Sequence, residues 1–538
     1  MIRLSTIQAK IRFFAYFILF FFIILILRII YVQAHGMYER AQNNGINPDK
    51  TLFFRHSILD RNGNILAISV PAYEYHINPS FIIDVNVIIK KVLTIFPDLD
   101  ESKLKERLSG NTNGWFLIKN GVTPEQKEQI ISSGIEGSFF REYYTRFYPY
   151  NKLFSHIVGY TLKNEKYETG FKGIEKSMDN QLLQSDVILS LDATIQNIIY
   201  DALEISYNKY KAKGAFAILV DLETREIISS VSLPSFDPSG AINPNSASHV
   251  NIPFSSIFNL GSVFKIFTIS LALQNNFKPK QEILLPRQIP VTSTFSVTDE
   301  HRSRDIMTLE EVLAYSSNVG VALITQKVGF EKQRTFFNSL KIFEKPQGLE
   351  LPQGEIAKPL FVQGKWRESM HYTASYGYGI SLAPIHFLQI VSGLVYDGKI
   401  LPLTLLKKNH DAKPLEDTPQ ILNTQNIVDL QEMMRSVVTI GTARRATING
   451  YSICGKTGTS LKFDGNLRKW SNRKKFLSFF SVFPCNSPKY AMYIGIDEPT
   501  TGNVAGLQAW NTVVEVSADI VKVVAPMLNT KPDKDGNH

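Results

Sequence analysis

The sequence predicts an α+β protein tethered by a single membrane-spanning helix, and three observations lead there. The C-terminal two thirds open and close on strand-like runs with helical segments between them, the pattern of one sheet packed against helices. The N-terminal third mixes strand and helix signals. Residues 11–32 form a long apolar stretch whose core, 13–27, carries no charge.

That stretch reads IRFFAYFILFFFIILILRIIYV. A spanning helix needs about 20 residues, and the stems of Arg12 and Arg28 can reach the headgroups from its ends. Arg3, Lys10 and Arg12 lie before or at its start, and this positive side stays cytoplasmic, which sends the rest of the chain outward. A cleaved signal peptide is the rival, with Val32-Gln33-Ala34 as its cleavage triplet, but a signal core spans only about 7–15 residues. A buried core helix fits less well, because this segment is apolar on every side.

Hydrophobic residues make up 44% and charged residues 20% of the 538, so the bulk is expected to be globular, with two or three cores. The net charge of +9 suits a scattered solvated surface with mild attraction to anionic lipid or polymer. It is no sign of nucleic-acid binding, which needs a basic motif as well. Cys454 and Cys485 have neither metal-ligand spacing nor a disulfide framework around them. They read as small buried apolar residues, although in an exported protein they could still pair.

Residues 33–50 are polar and read as a stalk. In 55–69, Asn62-Gly63 forms a turn between apolar runs, a hairpin signal. Thr123-Pro124-Glu125-Gln126 marks a helix start, with a Thr cap, Pro in the first position and Gln three residues after the cap. From about 186 the pattern changes. A strand is expected over 187–191, then a helix capped by Asp192 with Ile195, Ile198, Ile199, Ala202 and Leu203 on one face. Strands at 214–220 and 226–231 flank a turn at 223–225. Helices fill much of 262–440, and strands return at 451–459, 476–483 and 489–496. The polar tail reads as disordered.

Three short motifs carry chemistry. Ser262-Val263-Phe264-Lys265 follows Gly261 at a helix start, and three-residue spacing puts the hydroxyl and the amine on one helical face. A serine needs an adjacent base, and a lysine serves only when its neighbours leave it neutral. Ser316-Ser317-Asn318 follows a helix capped by Thr308 with Glu311 in the capping-box position. Its hydroxyl could relay a proton and its amide could hold a peptide carbonyl. Lys456-Thr457-Gly458-Thr459 sits in the strand expected over 451–459. There the Gly permits close approach of a ligand, an exposed edge can pair with an extended peptide, and the Lys and Thr groups suit a carboxylate. Each motif alone has a plain structural explanation: a helix start, a polar loop, a turn. Together, and in this order, they match the motif set of penicillin-binding proteins and serine β-lactamases.

The chain therefore resembles a class B penicillin-binding protein, and the division-specific FtsI type (penicillin-binding protein 3) more than the elongation type. The resemblance extends to Asp60-Arg61-Asn62-Gly63, Arg146-x-Tyr148-Pro149, 156–160, Gly173-Ile174-Glu175, 234–238, 375–379 and Gly441-Thr442-Ala443. His56 stands where the family usually has Gly, and Leu260 where it usually has Pro. The resemblance implies a cytoplasmic tail (1–10), a transmembrane helix (11–32), a mixed α/β pedestal of the dimerisation type (33–185), a transpeptidase domain with a β-lactamase-like antiparallel sheet (186–527) and a tail (528–538). It implies a bacterial inner-membrane protein that cross-links peptidoglycan stem peptides ending in D-Ala-D-Ala and is acylated by β-lactams.

By the same resemblance, Ser262 is the nucleophile, Lys265 its base, Ser316 the proton relay and Asn318 the holder of the donor backbone. Lys456, Thr457 and Thr459 take the terminal carboxylate beside Gly458. The backbone N–H groups of Ser262 and Thr459 form the oxyanion hole. No cofactor or metal is implied. The implied partners are a SEDS-family polymerase of the FtsW type and other divisome proteins, because the pedestal carries no glycosyltransferase motif. A serine β-lactamase shares the motifs but would be about half as long. A non-catalytic β-lactam sensor would be expected to carry extra spans and a cytoplasmic protease motif such as H-E-x-x-H, which the sequence does not show, and a scaffold without turnover would not need Ser262, Lys265 and Lys456 intact. The basic stretch 462–475 reads as a solvated loop, with guidance of anionic peptidoglycan as the alternative.

Overall fold

The computed structural model describes residues 54–532 apart from 111–113, 164–167, 241–242, 301–303, 409–417, 465–468 and 503, together with residues 16, 20, 24–26 and 28. The expected membrane span and stalk lie almost wholly outside the described residues, as does the end of the tail. Among the described residues, no helix is long and apolar enough to cross a membrane.

The chain divides into two compact units. The smaller contains residues 69–145. Its strand pairing runs antiparallel, with Tyr73↔Val122 and Ile77↔Phe116 among the partners. Helices Val85–Ile95, Glu101–Ser109 and Pro124–Ser132 complete it. The last begins as its sequence predicts: the Thr123 hydroxyl accepts from the Gln126 N–H, and Gln126 returns the bond to the Thr123 N–H. Tyr75, Ile77, Ile88, Ile89, Val92, Phe96 and Ile130 are part of a separate small core.

The larger unit contains 55–68, 146–164 and everything described from 168 onward. The 55–69 hairpin is fixed by Asp60, which is fully buried. Its carboxylate accepts from the N–H groups of Asn62, Asn64 and Ala193. Nearby, Arg55 and Arg146 both bind the buried carboxylate of Glu175, at 2.7 and 2.6 Å. Two buried guanidiniums are tolerated because they share a buried anion and hydrogen-bond to it directly.

The main sheet of this unit has five strands: β1 (Gly214–Asp221), β2 (Ile227–Leu233), β3 (Cys454–Asp464), β4 (Lys469–Phe483) and β5 (Tyr490–Asp497). Their order is β3-β4-β5-β1-β2, all antiparallel. Helices α1 (Ala193–Tyr210), α2 (Lys265–Gln274), α3 (Leu309–Ala314), α4 (Asn318–Val328), α5 (Thr424–Thr439) and α6 (Val513–Met527) are the ones that frame the site. The α+β expectation holds. Asp192 caps α1 as expected, accepting from Thr194 and Ile195 N–H groups.

The basic stretch 462–475 is not a loop. Its described residues continue β3 and β4, and Lys462, Lys474 and Lys475 have partners. Lys462 binds Asp497 and Glu498, and Lys474 binds Asp464. Lys475 is buried, and its ammonium donates to the carbonyls of Ala505 and Leu507. The sequence shows the positive charges but not the carboxylates that strand pairing brings alongside them.

Candidate active site

The topology decides where the chemistry can sit. β3 is an edge strand, so one side of its backbone has no neighbouring strand in the sheet. Lys456, Thr457, Gly458 and Thr459 lie on it. Against this edge packs the turn Gly261–Phe264, a single 3-10 turn that runs directly into α2.

That turn is pinned from behind. Val263 and Phe264 are fully buried, and the Phe264 ring meets Phe267 and Phe337 edge-on. Each such side chain contributes about 1.5–3 kcal/mol of burial. Gly261 has φ +60°, and a Cβ there would lie 2.6 Å from the Thr459 carbonyl oxygen. Gly458 answers it from the strand, since its Cβ would meet Leu260, Val263 and Ser478. The glycine of the strand motif thus makes room for the serine turn. Its Cα position faces protein, not the open space for a ligand that the sequence suggests. Ser262 is left half-buried at the mouth of a cavity of about 130 Å³.

The second motif links α3 to α4. The predicted capping box is present: the Thr308 hydroxyl accepts from Glu311 N–H, and Glu311 accepts from Thr308 N–H. Ser316 then takes φ +61°, a left-handed conformation that costs a non-glycine residue about 1–3 kcal/mol. Ser317 is the N-cap of α4. Asp299 braces this start. It accepts from the Ser317 hydroxyl at 2.7 Å and from the N–H groups of Asn318 and Val319 at 2.6 and 2.9 Å. The Asn318 amide nitrogen donates to the Thr298 carbonyl, and its side chain lines the cavity.

Two lysines converge on Ser316. The ammonium of Lys265 lies 3.1 Å from Ser316 Oγ and also donates to the Ser316 carbonyl. Lys456 Nζ lies 3.0 Å from the same Oγ and 3.1 Å from the Thr457 carbonyl. The Thr457 hydroxyl shares a 2.7 Å hydrogen bond with Thr442, while the Thr459 hydroxyl accepts from the Ala509 N–H. Ser262, Ser316, Asn318, Thr442, Thr457 and Thr459 all line the one cavity. The direct contact between Ser262 and Lys265 that their spacing suggests is not formed among the described residues. Lys265 is fully buried, and its ammonium takes the nearest carbonyl and hydroxyl, both from Ser316.

Burial sets the electrostatics. It pulls Lys265 down to about 7, against the opposing fields of Asp299 and Glu300. Lys456 is pushed well below the usual lysine range, by burial first and then by the charge of Lys265. Two buried lysines around one hydroxyl cannot both stay charged without a counterion. Cys454, two residues before Lys456, is a free buried thiol, as is Cys485. Burial, and then the neighbouring Cys485, raise the Cys454 pKa, so it stays protonated.

Several residues of the cavity escape sequence reasoning. Thr442 stands in a quoted motif, yet nothing in its type announces contact with Thr457. Asp299 and Glu300 sit in a charged run that belongs to none of the three motifs. Gln508, Ala509 and Trp510 also line the cavity, and they come from a stretch with no motif.

The penicillin binding protein transpeptidase domain matches residues 215–516, more than half of the chain. This chain belongs to the penicillin-binding protein transpeptidase family. The penicillin-binding protein dimerisation domain matches residues 54–186. Among similar members, the probable peptidoglycan D,D-transpeptidase FtsI of Caulobacter vibrioides is 26% identical over 511 residues, covering 92% of this chain and 85% of that protein. The peptidoglycan D,D-transpeptidase FtsI of Buchnera aphidicola is 28% identical over 529 residues, covering 89% and 88%. A crystal structure of penicillin binding protein 3 from Mycobacterium tuberculosis, complexed with aztreonam, shares the fold. Its TM-score is 0.69 at 21% identity, over 89% of this chain and 97% of that one.

Proposed function

We propose that this family member is a monofunctional peptidoglycan D,D-transpeptidase of the FtsI type, working through a Ser262 acyl-enzyme in septal wall synthesis. The observation that carries the mechanism is the pair of lysines meeting on Ser316 Oγ beside Ser262. Ser262 Oγ attacks the penultimate D-Ala carbonyl of the donor stem. The C–O bond forms as the serine proton leaves toward neutral Lys265. Ser316 sits between the two lysines, so it can hand a proton to the departing D-Ala nitrogen as the C–N bond breaks. N–H groups of Ser262 and Thr459 hold the oxyanion, and Asn318 holds the donor backbone.

Lys456, Thr457 and Thr459 take the terminal carboxylate. Lys456 then protonates on binding, because the substrate carboxylate supplies a counterion to the buried amine. Lys456→Ala is expected to slow acylation by about a hundredfold or more, the cost of one preorganised charge. A folded variant acylated at the wild-type rate would remove Lys456 from this role.

Residues 11–32 anchor the chain in the bacterial inner membrane with residues 1–10 in the cytoplasm, 33–185 serve as a non-catalytic pedestal domain, and 186–527 form the transpeptidase domain. A SEDS polymerase of the FtsW type, with other divisome proteins, is the partner this division of labour requires. Purified full-length protein given lipid II should make cross-links only when that polymerase is present, and penicillin should abolish them. Glycan chains made by the protein alone would overturn the monofunctional reading.

A further inference from the structure

The cavity wall carries two carboxylates with different occupations. Asp299 is consumed by the start of α4. Glu300 is exposed and accepts one hydrogen bond, from Gln508 Nε2 at 3.2 Å. Among the described residues, no lysine, arginine or histidine lies within ion-pair distance of it. An anion thus lines the catalytic cavity with no cation of the described residues within ion-pair distance, the buried Lys475 feeling only its field.

The stretch of cavity wall that carries Gln508 is firmly tied down. Lys475 ties down Ala505 and Leu507, Thr459 accepts from Ala509 N–H, and the Thr512 hydroxyl donates to the Gln508 carbonyl at 2.8 Å. These bonds fix the segment that brings Gln508 and Trp510 to the cavity. Trp510 is 44% exposed. The guanidinium of Arg445 lies 5.0 Å from its ring centroid and is itself paired with Glu515. Trp510 is therefore a braced aromatic wall of the same cavity that Glu300 lines.

The two halves of the reaction ask for opposite charges. The donor stem arrives with a carboxylate and needs the lysine end of the cavity. The acceptor arrives with a primary amine, which is almost wholly protonated near pH 7. It must reach the ester on Ser262 ahead of water. We propose that Glu300, steadied by Gln508 in the cavity that Trp510 also lines, docks the alkylammonium of the acyl acceptor, with the alkyl chain along the indole. This assignment rests on the transpeptidase reading above. A fixed anion at the opening raises the local concentration of the cation and orients it. The docked ammonium releases one proton to solvent. The neutral nitrogen then bonds to the acyl carbon, the bond from that carbon to Ser262 Oγ breaks, and the second amine proton returns to Ser262 Oγ through Lys265.

The test uses full-length protein, a thioester donor, and two acceptors at pH 7.5: Nα-acetyl-lysine amide, which is charged, and hydroxylamine, which is not. Glu300→Gln is expected to raise KM for the lysine amide about tenfold relative to hydroxylamine, the loss of one hydrogen bond to a charged group. Glu300→Asp should restore most of that ratio. Glu300 also raises the proton affinity of Lys265, so an equal change with both acceptors would mean that it acts through the base, and the proposal would fall. An unchanged ratio would refute it as well. If the wild-type protein formed no Ser262 acyl-enzyme from the thioester, the transpeptidase reading would fail first and take this proposal with it.

Discussion

Ser262→Ala should lose its penicillin adduct altogether, with turnover falling by a factor on the order of 10⁶, as when an activated serine is removed from a coupled catalytic unit. Intact-mass measurement after penicillin treatment reads this directly, and peptide mapping of the wild-type adduct should place it on Ser262. The expectation needs defending, because Ser316 is the serine nearer both lysines, at 3.1 and 3.0 Å. Its position argues against attack. Its hydroxyl is bonded on both sides, and its backbone sits at φ +61° where carbonyl and hydroxyl together face Lys265. Ser262 has no such engagement among the described residues. It stands at the first turn before α2, where backbone N–H groups without helical partners can hold an oxyanion. On the proposed mechanism, Ser316 completes the proton path and Ser262 is the nucleophile. An adduct mapped to Ser316 or Ser317 would reverse these assignments.

The fold and the centre of the site were legible in the sequence for a local reason. Caps, turns and periodicity are written within a few residues, so Thr123, Asp192 and Thr308 announce their helices before any tertiary contact is known. The three motifs are legible for a different reason: their residue types are constrained by one reaction, and their order along the chain matches a known set. What stayed hidden is whatever depends on pairing across long separations. Lys462 meets Asp497 of β5 and Lys474 meets Asp464 of β3 only once the sheet has formed, so a paired hairpin has the composition of a solvated loop. Asp299, Glu300 and Gln508 reach the cavity through loops whose composition says only that they are polar. Gly458 was read as room for a ligand, whereas its space is filled by the turn that carries Ser262. The missing contact between Ser262 and Lys265 has the same origin. Helical spacing sets which face a side chain leaves from, but burial of the ammonium chooses its partner.

Lys265→Met is expected to slow acylation by about 10²–10⁴-fold, the usual share of a positioned general base. Methionine keeps the length and apolar stem of the side chain in a fully buried position, so the change removes the amine more than the packing. The pH dependence gives the stronger test. Lys265 acts only when neutral, and burial holds it to about 7. The wild-type acylation rate should therefore fall about tenfold for each unit of acidification below 7 and level off above it. The variant should lose that limb and not merely lie lower. Stability carries the same signature with a definite sign. Between about 7 and the ordinary lysine value, 10.5, the unfolded chain holds a proton on this amine that the folded chain has given up. Folding is favoured as pH rises through that window, and the full cost of burying the cation is felt below it. Lys456, also depressed, adds a contribution of the same sign in both proteins. The stability of the wild type relative to Lys265→Met should then climb from pH 7 to pH 10 in denaturant titrations. A wild-type rate that is flat from pH 5 to 8, with no such climb, would show that Lys265 is not the neutral base at this site.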